Sequence, residues 1–430
     1  MKTKADVVVI GGGIMGSATA YELARRGSDV VLLEKGPKGG QQSTRAWGFV
    51  RQQGRDLAEL PLAIASNRIW PELSAELGSD VEWVQQGNLM IADNEERMQQ
   101  FRDWVAASRD YGVDTRLISP EEIHKLVPGI QGEWLGGMYT PSDGHAEPGK
   151  APAAFTDAAQ RLGATVETDC TAQSIELAGG RVIGVRTDQG TIAAPLVVVA
   201  AGGWSSRLLR TVGLNLPQLV VRGTAVETVP VPPITGVAVA IRGGLAFRQR
   251  PGGSLYMSLV GGSDHEVTLD SFRYARDFMP NYRANRGFLE WRVTGELLRD
   301  AARSIPGSPT RVPGFDPRPQ IDPTPNNDIV EGCRRELGQL FPALENTLLA
   351  RKWAGLIDTM PDGIPVIGAI DERPGLIVAT GFSGHGFALG PIVGRVVSEL
   401  ILDGQPSVDL HKLRYSRFKE KDVAPPRATI

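Results

Sequence analysis

The stretch Asp6–Glu34, DVVVIGGGIMGSATAYELARRGSDVVLLE, decides the fold of this chain. The apolar run at 7–10 is typical of a strand that is buried on both faces, and a glycine-rich turn follows it. A helical pattern at 17–26 then leads to a second apolar strand at 30–33. This order of strand, helix and strand predicts a parallel sheet covered by helices, which is an α/β fold.

The glycine spacing in this stretch predicts a dinucleotide site. Gly11, Gly13 and Gly16 form G-x-G-x-x-G, in which the first glycine permits a tight turn, the second lets the backbone approach a pyrophosphate and the third lets helix and strand pack closely. The helix N-terminus adds N–H groups and partial positive charge. Glu34, eighteen residues after Gly16, can bind ribose hydroxyls. A glycine-rich surface turn would not explain Glu34.

The composition excludes several classes of protein. A length of 430 residues predicts two domains, and a net charge of −3 argues against nucleic acid as a partner. Cys170 and Cys333 lie far apart without metal-ligand spacing, which favours reduced structural thiols, no metal and a cytoplasmic location. The N-terminal apolar run breaks at glycines too early for a signal sequence. No stretch reaches the roughly 18 uninterrupted apolar residues of a membrane span.

Periodic patterns predict the elements of the first half. The polar loop 35–56 is long enough to be functional. Val81–Ile91 predicts a hairpin with its turn at Gln86-Gly87-Asn88, and Ser119-Pro120-Glu121-Glu122 predicts a capping box at a helix start. Further helices are predicted at 57–77, 95–111 and 148–162. Further strands are predicted at 165–167, 173–177, 182–187, 191–193 and 196–200, the last followed by glycines and a helix through Arg210.

The pattern changes after residue 222. Phe247–Val260 alternates around a Pro-Gly-Gly turn, which predicts a hairpin in an antiparallel sheet. The pattern of residues 266–310 predicts helices that carry many aromatic side chains. This segment is a cap element or a subunit contact, and a solvated helical hairpin is an equal alternative. Residues 313–325 are rich in proline and predict an extended chain. The first pattern returns at 376–402, with a strand, a glycine-rich loop and a helix.

Together, three regions resemble the D-amino-acid oxidase superfamily of flavoproteins, in its sarcosine oxidase, glycine oxidase and D-amino-acid dehydrogenase branch. They read DVVVIGGGIMG at the start, VVVAAGGWSSRL in the middle, and DGIPVIG with VATGFSGHGFALGP near the end. The resemblance covers essentially the whole chain. It implies FAD in a discontinuous Rossmann-like domain and a second, α+β substrate domain with an antiparallel sheet. The expected bounds are 1–80, 145–222 and 350–430 for the first domain, and 81–144 and 223–349 for the second.

The resemblance also implies which residues contact FAD. They would hold the pyrophosphate and ribose, pass near the flavin in the first loop, contact adenine through the backbone, and lie beside the flavin ring. In chain order they are Gly11, Gly13, Ile14, Met15, Gly16, Glu34, Lys35, Ser43, Thr44, Arg45, Thr171, Ala172, Ala201, Gly202, Trp204, Gly381, Phe382, Ser383, Gly384, His385, Gly386 and Phe387.

Two departures from the family pattern indicate non-covalent FAD. The stretch 353–359, WAGLIDT, lacks the cysteine that covalent members carry there. Arg45-Ala46-Trp47 follows Ser43-Thr44, where other members have a histidine. The implied chemistry is removal of hydride from a carbon that bears an amine, giving an imine, and it requires little acid–base machinery from the protein.

Arg51, Tyr256 and His385 are the catalytic candidates by family position. Arg51 matches an arginine that binds the substrate carboxylate, although a structural salt-bridge arginine is the alternative. The arginine of glycine oxidase is absent from 356–358, and Ala388 replaces a second cation of sarcosine oxidase. His385 would polarise substrate or flavin, or is a packed structural histidine.

Tyr256 and Met257 lie nearest to the place of the lysine with which sarcosine oxidase activates oxygen. The chain has no lysine between Glu227 and Arg351, so an electron acceptor other than oxygen becomes credible.

Three functions follow from these observations. The first is FAD-dependent oxidation of the C–N bond of a small amino acid or secondary amine, of the sarcosine, glycine, D-amino-acid or hydroxyproline kind. The second is a flavin subunit of an amine dehydrogenase that passes electrons to a partner, with 266–310 as its docking face. The third is a non-redox assembly protein. The glycine-rich loop 381–387, which the resemblance places beside the flavin and which we call the flavin-side loop, is intact and argues against this third function. A homo-oligomer is a further expectation.

Overall fold

Helices and strands alternate along the chain in the computed structural model, which describes residues 1–287, 289–304, 322–424 and 426. The helices within these ranges are α1 (Ile14–Arg25), α2 (Leu60–Leu77), α3 (Glu95–Ser108), α4 (Pro120–Leu126), α5 (Ala151–Arg161), α6 (Ser205–Arg210), α7 (Leu269–Arg273), α8 (Ala275–Asn285), α9 (Gly295–Ser304), α10 (Asn327–Leu340), α11 (Gly386–Leu402) and α12 (Arg417–Glu420).

The strands of the same ranges form four sheets. They are β1 (Val7–Ile10), β2 (Val30–Leu33), β3 (Phe49–Val50), β4 (Asn88–Ala92), β5 (Arg116–Ile118), β6 (Gly136–Thr140), β7 (Gly144–His145), β8 (Thr165–Glu167), β9 (Ala172–Ala178), β10 (Arg181–Thr187), β11 (Gly190–Ala193), β12 (Leu196–Val199), β13 (Leu219–Thr228), β14 (Ala238–Ile241), β15 (Leu245–Gln249), β16 (Leu255–Leu259), β17 (Ser263–Glu266), β18 (Leu289–Arg292), β19 (Leu349–Thr359), β20 (Val366–Ala369) and β21 (Leu376–Thr380).

The first sheet has the order β20-β21-β12-β1-β2-β8 and is parallel except for β20. Alternate residues of β1 face opposite sides, as strand geometry requires. Val7 and Val9 pack with α1, α5 and α11, whereas Val8 and Ile10 pack beneath the antiparallel layer β11-β10-β9. Because both faces are covered, all four strand residues are buried. The predicted α/β fold is confirmed.

Helices α1 and α11 pack closely because small residues lie between them. A Cβ on Gly390 would lie 2.3 Å from Cγ1 of Ile14, and a Cβ on Gly394 would lie 2.6 Å from the carbonyl carbon of Ala18. Each of the two helices follows a parallel strand, so both N-termini lie at the same edge of the sheet.

The second large sheet has ten strands and is mostly antiparallel. Its order is β18-β17-β13-β16-β15-β14-β4-β6-β5, and β19 pairs with β13 along its whole length, from Leu219 opposite Thr359 to Thr228 opposite Leu349. The predicted hairpin within 247–260 is confirmed as β15 and β16. The predicted capping box at α4 is also present.

The hairpin predicted at Val81–Ile91 is wrong. Only β4 forms, from Asn88, and it pairs with β6 and β14 rather than with the residues before it. Val84 instead bridges His145, Trp83 stacks on Trp70, and Gly87 donates its N–H to the carbonyl of Asp143. Tertiary packing therefore overrides the local turn signal.

The segment 266–310 is only partly helical. It contains α7, α8 and α9, but β18 also forms within it and pairs in parallel with β17. Residue 288, residues 305–310 of this segment and 313–321 of the proline-rich stretch lie outside the described residues. In the part of the chain that the structure describes, no helix has the length and apolarity needed to cross a bilayer. The residue bounds of the two domains stay a prediction.

Candidate active site

A glycine cradle forms where β1 meets α1. Gly11 has φ +109°, and a Cβ there would lie 2.3 Å from the carbonyl oxygen of Ala200, on the neighbouring strand. A Cβ on Gly16 would lie 1.8 Å from the carbonyl oxygen of Gly11. Only glycine therefore fits at either position, and the backbone stays open at the N-terminus of α1.

Two side chains from elsewhere fix this cradle. The Glu34 carboxylate accepts the N–H of Gly12 at 2.7 Å and of Gly36 at 2.9 Å, and the Ser43 hydroxyl accepts the N–H of Ile14 at 2.9 Å. Burial raises the pKa of Glu34, and these N–H groups oppose that rise. Each carboxylate oxygen keeps a lone pair for a ribose hydroxyl.

A narrow cleft of about 150 Å³ runs from the cradle towards the flavin-side loop. It brings together most of the predicted cofactor residues: Gly11, Gly13, Ile14, Met15, Glu34, Lys35, Ser43, Thr171, Ala172, Ala201, Gly202, Trp204, Phe382, Gly384, Gly386 and Phe387. The ammonium group of Lys35 lies 3.7 Å from the centre of the Trp204 ring. The Asp188 carboxylate accepts the N–H of Thr171 at 2.9 Å, and the Thr171 carbonyl accepts the N–H of Asp188 at 3.0 Å, so these two bonds fix the backbone at this end of the cleft.

The other predicted cofactor residues lie outside this cleft. Gly16 lies where α1 packs on the end of β1. The Thr44 hydroxyl donates to the carbonyl of Gln41, and the Gly381 N–H donates to the Asp358 carboxylate. Arg45, Ser383 and His385 line a second, larger cavity.

The flavin-side loop, Gly381–Phe387, has an unusual backbone that Asp358 anchors. Gly381, Ser383 and Gly384 all have positive φ, at 78°, 49° and 89°. The Asp358 carboxylate accepts the Gly381 N–H at 2.7 Å, and burial raises the pKa of Asp358. Sequence reasoning missed this role, because Asp358 lies 23 residues before Gly381 and no local pattern joins them.

The larger cavity, of about 770 Å³, opens from the cleft. Gln42, Ala46, Gly384 and Phe387 line both. Its roof comes from alternate residues of the ten-stranded sheet, which are Leu219, Val221, Gly223 and Ala225 of β13 and Gly355, Ile357 and Thr359 of β19. One face of α8 closes a further side with Phe278, Asn281, Tyr282 and Asn285. This face supports the interpretation of 266–310 as a cap.

Two of the three predicted catalytic residues line the larger cavity. Arg51 donates to the carbonyl of Gln53 at 2.8 Å, and burial lowers its pKa while Asp143 and Glu59 oppose that effect. Nε2 of His385 lies 2.8 and 3.0 Å from the two carboxylate oxygens of Glu59, and both side chains are buried. Glu59, which sequence reasoning missed, therefore orients the imidazole.

Tyr256 lines neither cavity, and its catalytic role stays a prediction. Its ring lies within 4.7–5.4 Å of the guanidinium carbons of Arg248, Arg250 and Arg351, and its hydroxyl bonds Arg351. Tyr256 lies on the same face of the sheet as the roof residues, because Glu227, its partner on β13, is two residues beyond Ala225, but it lies past the end of the roof. Its ring therefore packs among three cations.

The cleft fits a dinucleotide such as FAD on structural grounds. A Cβ on Gly202, which lines the cleft, would meet no atom within 4 Å among the described residues, so the cleft is open beside it. Beside the cleft, Nε2 of Gln41 and Oε1 of Gln42 are buried without a hydrogen-bond partner among the described residues. Buried amides of this kind need polar partners, which a bound ligand supplies.

The chain is similar to flavoenzymes along its length. It is 27% identical over 426 residues to the glycine oxidase of Geobacillus kaustophilus (strain HTA426), covering 97% of this chain and 98% of that protein. It is 28% identical over 437 residues to human mitochondrial sarcosine dehydrogenase, covering 99% of this chain but only 43% of that longer protein. The solved L-amino acid deaminase from Proteus vulgaris superposes with a TM-score of 0.90 at 26% identity, covering 97% and 98% of the two chains.

The model of one family, described as FAD dependent oxidoreductase (DAO), matches residues 6–400. This match covers most of the chain and agrees with the cradle, the cleft and the roofed cavity. The resemblance stated from the sequence is therefore confirmed, and the chain belongs to the DAO family of FAD-dependent oxidoreductases.

Proposed function

We propose that this chain oxidises the C–N bond of a small amino acid or secondary amine to an imine. The observation that carries the proposal is the junction of the two cavities at Gly384 and Phe387, which gives a substrate in the larger cavity access to the cofactor cleft. When bound, FAD supplies the two-electron acceptor for the hydride that leaves the substrate carbon. A location in the cytoplasm stays a prediction.

The residues of the chain bind and orient. Gly11, Gly13 and the N-terminus of α1 would hold the pyrophosphate, and Glu34 the ribose. Arg51 would bind a substrate carboxylate through its guanidinium fork. His385, held by Glu59, would orient the amine, and the apolar roof and the α8 face would exclude water.

The test is anaerobic absorbance at about 450 nm, the usual flavin band, with D-, L- and N-methyl amino acids and cyclic amines. Bleaching by one of these classes is expected, and it would identify the substrate. Bleaching by none of them would contradict the proposal. Arg51→Ala should raise KM strongly for amino acids and spare simple amines; equal losses for both would remove Arg51 from the carboxylate site.

A second candidate is a flavin subunit that passes electrons to a partner. Its support is the exposed apolar surface of the cap, where Phe272, Val293 and Leu298 are 65%, 78% and 75% exposed. Admitting air to the bleached protein tests it. Fast reoxidation indicates an oxidase, whereas slow reoxidation that an artificial acceptor accelerates indicates a dehydrogenase with a partner.

A further inference from the structure

Arg55 is a buried arginine that the proposed function leaves without a role. It is only 4% exposed and lines the larger cavity, and its Nε donates to the carbonyl of Arg51 at 3.3 Å. Among the described residues, no carboxylate lies within 4 Å of its guanidinium. A buried cation without a paired anion is unfavourable, so such a residue indicates a missing ligand.

The electrostatics around Arg55 favour an anion. Burial and the charge of Arg51 lower the pKa of Arg55 to about 9, and Glu59 and Asp143 oppose this only in part. Glu59 is engaged by His385. The Asp143 carboxylate accepts the backbone N–H groups of Gln52 and Gln53.

Apart from Glu59, the acids that line the cavity are engaged elsewhere. Asp56 accepts the N–H of Ala58, Asp103 accepts the side-chain amide of Gln99, and Asp362 pairs with Arg417. The buried carboxylates of Glu59 and Asp143 match Arg51 and Arg55 in number, but among the described residues none forms an ion pair with Arg55, so its guanidinium lacks a direct anionic partner at this end of the cavity.

The loop that carries both arginines is held rigidly before any ligand arrives. Nε2 of Gln53 donates to the carbonyls of Asn88 and Met138 and to the Thr140 hydroxyl, each at about 3 Å. The indole of Trp104 donates to the carbonyl of Arg55 at 2.9 Å. A preorganised loop of this kind reduces the entropy lost when a ligand binds.

We infer that Arg55, together with Arg51, binds a carboxylate of the substrate in the larger cavity. The inference rests on the proposed function and narrows its substrate class to amino acids in preference to simple amines. Arg55 is thus a further binding residue, four positions after the arginine that sequence reasoning selected.

The test measures binding to the FAD-loaded protein without turnover. The probes are anthranilate and benzoate, with aniline as a ligand that lacks the carboxylate, and Kd comes from calorimetry and the change in flavin absorbance. Arg55→Gln should raise the Kd of both carboxylates by about tenfold or more, because a charge-assisted bond is lost. The Kd of aniline should not change. Arg55→Lys should recover part of the affinity, since it restores charge but not the fork.

Arg242→Gln is the matched control, because Arg242 lines the same cavity but donates to Gln100 at 3.1 Å. It should change Kd by less than about twofold. Carboxylate affinity within twofold of wild type in Arg55→Gln, or no carboxylate binding by the wild type, would overturn the inference. If Arg55→Gln does not yield an FAD-loaded protein, Arg55→Lys carries the test, and an unchanged Kd there overturns it.

Failure of the proposed function gives a different result. In that case no amine bleaches the flavin, although carboxylates still bind in a manner that depends on Arg55.

Discussion

The carboxyl group of Asp143 provides the sharpest test of how this fold is held together. It is fully buried and anchors the arginine-bearing loop, with Oδ1 accepting the backbone N–H of Gln52 at 2.8 Å and Oδ2 accepting that of Gln53 at 3.2 Å. Burial raises its pKa from 3.8 to about 6. We predict that Asp143→Asn changes how the stability of the protein depends on pH.

The sign follows from linkage. Because the pKa of Asp143 is higher in the folded than in the unfolded state, the group stabilises the fold below about pH 4, and this contribution is lost as the pH rises through 6. The difference between the two pKa values corresponds to a stabilisation of about 3 kcal/mol at most, and about 2 kcal/mol of it is lost between about pH 4.5 and 7.5. An asparagine at this position does not titrate, so its contribution to stability does not change with pH.

The substitution also has a cost that does not depend on pH. The asparagine oxygen can still accept both groups of Gln52, but its NH2 group faces the N–H of Gln53, which costs about 1–3 kcal/mol. We therefore expect Asp143→Asn to be less stable than wild type at pH 4.5, and this deficit to shrink by about 2 kcal/mol at pH 7.5.

The assay is urea unfolding followed by tryptophan fluorescence, with excess FAD, at both pH values. Ser142→Ala is the matched control, because its hydroxyl accepts Nε2 of the same Gln52 at 3.0 Å but carries no charge. Ser142→Ala should lower the free energy of unfolding by about 1 kcal/mol at both pH values. A deficit of Asp143→Asn that stays constant between the two pH values would refute the reasoning.

Three further predictions concern the cofactor and the roof. Gly16→Ala should abolish FAD binding, because the new Cβ would lie 1.8 Å from the carbonyl oxygen of Gly11. Bound FAD is measured as the ratio of the absorbance at about 450 nm to that of the protein band. Gly236→Ala is the control and should keep FAD bound, because its Cβ would have no atom within 4 Å. Acid precipitation should release FAD into the supernatant, and a yellow pellet would contradict non-covalent binding. Tyr256→Phe should leave kcat within about threefold, because it removes only the bond to Arg351; a larger loss would show that Tyr256 takes part in catalysis.

The parts of this structure that could be predicted from sequence are those with local signals. The apolar strand, the glycine spacing and Glu34 lie within 29 consecutive residues, and each element there forms, although α1 begins at Ile14 rather than at residue 17. The capping box of α4 is a four-residue signal and is also present. Local patterns succeed where the physical cause is itself local, such as a turn that needs glycine or an N-terminus that needs a hydroxyl.

The parts that could not be predicted depend on contacts between distant residues. Asp143 and Gln52 are 91 residues apart, and His385 and Glu59 are 326 apart. Arg55 has no sequence signal that separates it from the other arginines of the chain, because burial and the absence of a partner are properties of the folded cavity. The Val81–Ile91 hairpin failed for the same reason, since β4 found its partners in β6 and β14.

The passage between the cleft and the larger cavity depends on strand register. Gly223 of β13 pairs with Gly355 of β19, and both line the larger cavity. A Cβ on Gly355 would lie 2.2 Å from Oε1 of Gln42, a residue that lines both cavities. A slip of one residue would turn Arg222 and Thr224 towards the cavity in place of the glycine and its apolar neighbours. The long pairing of β13 with β19 prevents that slip, so the same backbone contacts that stabilise the sheet also keep the larger cavity next to the cleft.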